Sequence, residues 1–347
     1  MFTTSKTFDA VGDALAFTAM IVVLCLALTM SEQASAQQLK IATLAPDGSS
    51  WMNAFNEAAD AVEEQTDGRV SIRYYPGGVM GDATAIFRRM RLGQLNGGVF
   101  TLGDLVSISG AVNLYSLPFV FNDIEEIQAL RAEFDPLIIN ALEQGGLIIP
   151  GISLGGFAYL FGRDEFPAPE ALDTDWRVWV QPDDLLSRET LQRLGVSPVP
   201  LPLAEVYTAL QTGALNTFAS TTSGAIILQW HTRARHMLDL PVLMTGGTIG
   251  FDPRSLSRLS EGDREILLAR FAETMQALER NNLAENAQAR SALVAQGVQI
   301  DPATDAQLEI WRAEADRTLQ DLLNAGRIEI PHLDAMMADL ETLRAAP

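Results

Sequence analysis

Apolar and polar positions alternate along this chain with two different periods, and the switch between them marks out its elements. "LKIATLA" (39–45) is a nearly continuous apolar run closed by Pro46-Asp47-Gly48, which predicts a buried strand. Trp51, Phe55, Ala58, Ala59 and Val62 then recur at helical spacing until Thr66-Asp67-Gly68 breaks the pattern. "RVSIRYY" (69–75) alternates with a period of two and stops at Pro76-Gly77-Gly78. A helix near 82–92, an exit at Gly93 and the strand "GGVFT" follow. Strand, helix and strand in this rhythm predict an α/β fold with parallel sheets covered by helices.

The same plan is written again further on. "WRVWV" (176–180) reads as a strand, 184–194 as a helix and "VSPVPLP" as an extended segment. "LAEVYTALQTG" (203–213) reads as a helix that returns to strand through "LNTFAST". The two helix exits share a motif: Gly93, Leu95 and Asn96 in "RLGQLNGGVFT" recur as Gly213, Leu215 and Asn216 in "LQTGALNTFAST". A glycine suits the left-handed residue that closes a helix. Ligands of open α/β sheets bind beyond the carboxyl ends of strands. Thr101-Leu102-Gly103 and Ser220-Thr221-Thr222 are therefore expected to face each other across a cleft. "PGGVMGD" (76–82) is expected to be a turn whose helix borders that cleft. After Ser260, with Asp263 placed for a capping box, nothing breaks the helical pattern until Gly297. Such a helix would run about 54 Å at 1.5 Å per residue, enough to act as a strut across two lobes. Pro302 is expected in the first turn of a further helix carrying Leu308, Trp311, Leu319 and Leu322 inward, with Gly326 at its end.

The length of 347 residues fits two domains. Residues 14–30 form an apolar run followed by Ala34-Ser35-Ala36, the small-x-small pattern of a secretory signal cut after Ala36. A retained anchor is the rival, with a run shorter than the roughly 20 residues a span needs. Cys25, the one cysteine, lies in that run, so a mature chain has neither disulfide nor thiolate chemistry. Removing residues 1–36 takes away Lys6, Asp9, Asp13 and Glu32, moving the net charge from −20 to −18. That excess of acid argues against nucleic acid and anionic membranes as partners.

Chemistry-bearing motifs are sparse. His231 and His236 are five apart and do not share a helical face, and His332 sits in a turn, so all three read as structural or solvated. Asp183-Asp184 is a carboxylate pair, but Asp184 suits a helix N-cap better than catalysis. No nucleophile elbow, phosphate loop or dinucleotide fingerprint occurs. The expectation is a binder that closes on a solute, with no cofactor and no metal, rather than an enzyme.

Taken in order, "LKIATLAPDGSSW", "TDGRVSIRYYPGGVMGD", "MRLGQLNGG", "LYSLPFVF" and "LGVSPVPLPLAEVYTALQTGALN" resemble the solute-binding subunits (DctP type) of tripartite ATP-independent periplasmic, or TRAP, transporters. The resemblance spans essentially the whole mature chain. It implies a two-lobed periplasmic binding protein fold of type II character with a long hinge-spanning helix. It further implies closure on a small organic acid and delivery to membrane permease subunits; a monomer is expected. The implied division is 1–36 as signal, 37–160 plus about 246–285 as lobe I, and 161–245 plus about 286–347 as lobe II. Members of the family grip the ligand carboxylate with an arginine in the strand that here reads Arg177-Val178-Trp179-Val180, so Trp179 takes its place. A second family arginine falls at Ala158, the usual Asn at Ser220 and an Asp at Asn216. Tryptophan cannot imitate a bidentate guanidinium. The expected lining is aromatic and small-polar: Trp179, Phe157, Ala158, Tyr159, Phe218, Ser220, Thr221, Gln181 and Asp184, with Trp51, Thr101 and Gly103 from the other lobe. Such a lining suits a flat, weakly polar solute or a cation over ring faces. Trp176 and Trp230 are expected to pack rather than bind.

Overall fold

The computed structural model describes residues 36–168 and 171–345; the expected signal sequence lies outside them. Strand β1 (Gln37–Ala42), helix α1 (Ser50–Gln65), β2 (Val70–Tyr75), α2 (Ala83–Arg91) and β3 (Gly97–Thr101) come first. A 3-10 turn (Gly103–Leu105) and a second (Gly110–Tyr115) lead to α3 (Ile124–Gln144) and β4 (Ser153–Gly162). Then follow β5 (Arg177–Val180), α4 (Leu185–Arg193), β6 (Ser197–Pro200), α5 (Val206–Thr212), β7 (Thr217–Ser220) and α6 (Thr222–Ile227). The chain continues through β8 (His236–Phe251), α7 (Pro253–Leu256), α8 (Glu261–Ala295), β9 (Gln299–Pro302), α9 (Asp305–Asn324) and α10 (Leu333–Ala345).

The repeated motif has a physical explanation. Gly93 and Gly213 both take positive φ, 70° and 77°, which a side chain would resist. Leu95 and Leu215 plug the cores behind them. Asn96 Oδ1 accepts the backbone N–H of Lys40 at 2.8 Å, and its own N–H donates to Lys40 C=O at 2.8 Å. Asn216 repeats this with Arg177, at 2.8 Å and 3.2 Å. Each asparagine thus fastens the start of one parallel strand to its neighbour, supplying a side-chain acceptor where the ladder begins. The parallel pairs β1–β3 and β5–β7 rest on these two clamps.

The sheet departs from the parallel expectation. All strands join one nine-stranded mixed sheet in the order β2-β1-β3-β8-β4-β7-β5-β6, with β9 on β8. Strands β4 and β8 are long and antiparallel to each other, and β3 and β7 also run antiparallel to them. Their glycines blur the period-two pattern: Gly155-Gly156 in β4 and Gly246-Gly247 in β8 fall at or beside the first of two register shifts between the strands, the second lying between Ala158 and Leu160. Gly156 has φ 105°, and a Cβ there would overlap the Asn286 amide on α8, so the kink requires glycine.

Two apolar clusters surround β1–β3, one under α3 with Tyr115 and Phe134 and one under α1 with Phe55 and Phe271. Two more surround β5–β7, one with Phe161, Phe218 and Trp230 and one with Val178, Leu238 and Trp311. The α8 strut crosses between them: Leu267, Phe271 and Met275 belong to the first pair and Leu293 to the second. Ser260 caps α8 by accepting from Asp263 N at 3.1 Å, while the Asp263 carboxylate takes Arg69 instead of closing a capping box. Trp311, Leu319 and Leu322 face inward as expected. Pro302 does not start α9: it ends β9, pairing with Asp239, and Thr304 with Gln307 forms the capping box. Helix α10 packs Met336 and Leu340 into the cluster of α3. Among the described residues, no helix is long and apolar enough to cross a membrane.

Candidate functional site

A cavity of ≈ 330 Å³ opens where the carboxyl ends of β3, β5 and β7 meet the middle of β4 and β8. The size falls in the range of small-molecule sites. Nine of the twelve residues expected at the site line it: Trp51, Thr101, Gly103, Ala158, Trp179, Gln181, Asp184, Ser220 and Thr221. Phe157, Tyr159 and Phe218 do not. Alternation along β4 sends Ala158 and Leu160 to the cavity and their odd-numbered neighbours to the other face. There Phe157 packs on the cluster of α3, and Tyr159 joins that of Phe161, on which Phe218 stacks at 5.1 Å. The "PGGVMGD" turn does not line the cavity either; Asp82 caps α2 by accepting from Ala85 N at 2.8 Å.

Trp179 serves two purposes. It is 8% exposed, meets Trp230 edge-on at 5.3 Å, and donates its indole N–H to Leu201 C=O at 2.8 Å. The ring is therefore part of the core as well as part of the wall, and its one polar atom is already used. Trp51 is tied likewise, donating to Asn282 Oδ1 at 3.0 Å. Trp230, expected only to pack, lines the cavity too, whereas Trp176 lies away from it, its ring tilted against that of Phe166 at 5.1 Å.

Across the cleft, Gln181 Nε2 beyond β5 donates to Thr101 Oγ1 at the end of β3, 3.1 Å away. Asp104 receives Thr101 N and Oγ1, both at 2.9 Å, so the three residues form a chain from one side to the other. Gly103 fits beneath Gln181, where a Cβ would overlap the amide. Asp184 caps α4, accepting from Ser187 N at 2.9 Å.

The lining contains no Lys, Arg or His; its ionisable groups are Asp104 and Asp184. Burial pushes both carboxyls above the ordinary aspartate range, against the hydrogen bonds from Thr101 and Ser187 respectively. Asp82 and Asp183 raise Asp104 further. Sequence reasoning missed Asp104, Asn282, Trp311 and Thr190, which reach the cavity from a 3-10 turn, the strut and two helix faces. His231 Nδ1 lies 3.0 Å from Ala225 O and His236 Nδ1 3.1 Å from Asp301, and no group of metal-ligating residues occurs among the described residues.

Residues 41–325 match the family described as bacterial extracellular solute-binding protein, family 7 (DctP). A solute-binding protein of Chromohalobacter salexigens is 25% identical over 297 residues, covering 83% of this chain and 84% of that protein. Among solved structures, a TRAP periplasmic solute-binding protein of Desulfovibrio salexigens with bound orotic acid superposes with TM-score 0.77 at 19% identity, covering 88% of this chain and 97% of that one. One of Roseobacter denitrificans with bound β-D-glucuronate reaches TM-score 0.79 at 20% identity, covering 88% and 99%.

Proposed function

The chain belongs to the DctP family, the periplasmic solute-binding subunits of TRAP transporters, and on that premise we propose that it captures an uncharged or cationic organic solute with a flat apolar body. It is a binding protein that works with a membrane permease, not an enzyme. One observation carries the ligand class: the cavity offers two aspartates and no cation. A carboxylate entering it would shed water beside carboxyl groups with no guanidinium in return, which costs several kcal/mol per ion. Trp179 and Ala158 occupy the wall where the family resemblance places arginines, in keeping with a changed ligand.

The relatives' orotic acid and β-D-glucuronate favour a second reading, an organic acid held by hydroxyls and backbone N–H groups at Ser220 and Thr221. A thermal-shift screen of matched acids, amides and amines on common skeletons separates the two. Stabilisation by amides or amines, reaching about 2.7 kcal/mol at 100 times Kd, is the expected result. A preference for the acid on every skeleton overturns the proposal.

We further infer a mature chain beginning at Gln37, on the strength of Ala34-Ser35-Ala36, which intact mass of periplasmic protein checks, and a monomer, which light scattering checks. Lobe I takes 37–160 and about 246–285, and lobe II 161–245 and about 286–332. The packing of α10 on α3 supports placing 333–345 with lobe I.

A further inference from the structure

Among the described residues, six buried side-chain polar atoms have no hydrogen-bond partner, and four belong to residues lining the cavity described above: Ser153 Oγ, Gln181 Oε1, Thr190 Oγ1 and Trp311 Nε1. Unpaired buried polar atoms are costly, and a ligand closing against this wall would supply partners for them. Two of the four lie away from the cleft between β3 and β5. Thr190 is on α4 and Trp311 on α9, helices that pack together and whose facing residues Leu191 and Leu194 also line the cavity. Leu160 of β4 and Val242 of β8 complete an apolar compartment in the second lobe. A void of ≈ 10 Å³ abuts the same wall, sharing Leu160, Leu191, Leu194 and Trp311.

Thr190 is 4% exposed and Trp311 5% exposed, so neither can rely on bulk water. A buried helical threonine usually satisfies its hydroxyl on the carbonyl four residues back. Thr318, buried like Thr190, does so here at 2.7 Å, as do the more exposed Thr212, Thr274 and Thr342 at 2.9–3.1 Å. Thr190 does not. Trp311 can only donate, and its N–H is left over while its ring packs edge-on against Phe119 at 6.0 Å.

We propose that this compartment is a recognition subsite for an apolar, uncharged part of the solute bearing a hydrogen-bond acceptor, a carbonyl or ether oxygen, which takes the Trp311 N–H and the Thr190 O–H. The subsite rests on the ligand class proposed above and specifies it: the solute has an apolar portion long enough to pass from the Thr101–Gln181 cleft to α9, with an oxygen on it. The unsatisfied acceptor Gln181 Oε1 at the cleft end awaits a donor, so the solute is polar at both ends and apolar between.

The test uses probes of one shape: acetophenone (acceptor, uncharged), benzamidine (cation), benzoate (anion) and cumene (no polar group), titrated by calorimetry into wild type, Thr190→Val and Trp311→Phe. Acetophenone is expected to bind more tightly than cumene, and each substitution to weaken acetophenone by roughly three- to tenfold while leaving cumene unchanged. Thr190→Val should also leave the ligand-free melting temperature equal or higher, because it deletes an unpaired buried hydroxyl; a threonine with a structural bond would lower it. Equal affinities for acetophenone and cumene, equal effects of the substitutions on both, or no binding of either at millimolar concentration overturns the subsite. Benzoate binding more tightly than the uncharged and cationic probes overturns instead the ligand class on which it rests. If Trp311→Phe does not fold, the Thr190→Val comparison decides alone.

Discussion

Trp179 belongs at once to the packed core and to the cavity wall. Its ring closes the cavity, while its N–H on Leu201 C=O and its edge-on contact with Trp230 hold the β5 end of the second lobe. Trp179→Ala is therefore expected to cost about 3–5 kcal/mol of stability, as a large buried aromatic does, together with ligand affinity. Trp179→Phe keeps most of the wall and strands one carbonyl, costing about 1–3 kcal/mol. Denaturant unfolding of the two variants checks this; equal losses would mean that the Leu201 bond, not the ring, dominates. Gly103 is a cleaner probe of the cleft. Its φ is outside the left-handed region, so the backbone accepts alanine, but the new Cβ would displace Gln181 from Thr101. Gly103→Ala should weaken ligand binding by roughly two- to tenfold, the worth of one hydrogen bond. Its ligand-free stability should change little, and a variant with unchanged affinity would show that the cross-cleft bond is not used on binding.

At the scale of elements, the long helix α8 depends on how its first turn is fixed. Asp263 in that turn takes the Arg69 guanidinium at 2.9 Å and is 7% exposed at its side chain, so the pair ties α8 to the loop before β2. The Arg69 hydrogen bonds hold the Asp263 carboxyl below the ordinary aspartate range in spite of burial. A carboxyl whose folded pKa is lowered adds stability above its unfolded pKa, and loses it as pH falls through the folded one. Asp263→Asn is thus expected to be less stable than wild type at neutral pH and to converge with it in acid. A stability difference that stays constant from pH 7 down through the acid limb would rule out this linkage. Further along α8, Asn286 accepts from Ser223 N at 3.1 Å and Ser223 Oγ at 2.7 Å, and donates to Gly155 C=O at 2.7 Å. The strut is thereby fastened to the kink of β4 and to α6 at once, beside the strands that any lobe motion must bend.

At the scale of the molecule, two similar α/β halves share one sheet through β4 and β8, and the cavity lies against that shared part. Bending beside Gly155-Gly156 and Gly246-Gly247, next to a register shift, would open or close the cleft, and would move Leu186, Leu319 and Leu322 against the α3 cluster that they join. A saturating solute should accordingly contract the protein in small-angle scattering. Identical curves with and without it would argue for binding to a rigid cleft. The acidic surface, net −20 over the whole chain, is itself no obstacle to an uncharged solute and favours the approach of a cation.

The sequence by itself determined the elements whose signals are local. The two helix exits were legible because Gly93 and Gly213 must take positive φ, and the caps at Ser260 and Asp184 because short oxygen side chains satisfy free N–H groups. The cleft residues Thr101, Ser220 and Thr221 followed from parallel strands ending on the same side of a sheet, and Gln181 from the lining that the family resemblance implied. What only the tertiary structure decided was non-local. Strands β4 and β8 pair antiparallel across a kink, and their glycines hide the period that would have announced them. The face of β4 was invisible for the same reason: one step of register exchanges Ala158 for Phe157 and Tyr159 at the cavity. Asp104, Thr190 and Trp311 meet at the cavity only because a 3-10 turn and helices α4 and α9 converge there, from positions spread over some two hundred residues of the chain. No local spacing can encode that meeting, because it is fixed by how the apolar faces of the helices pack.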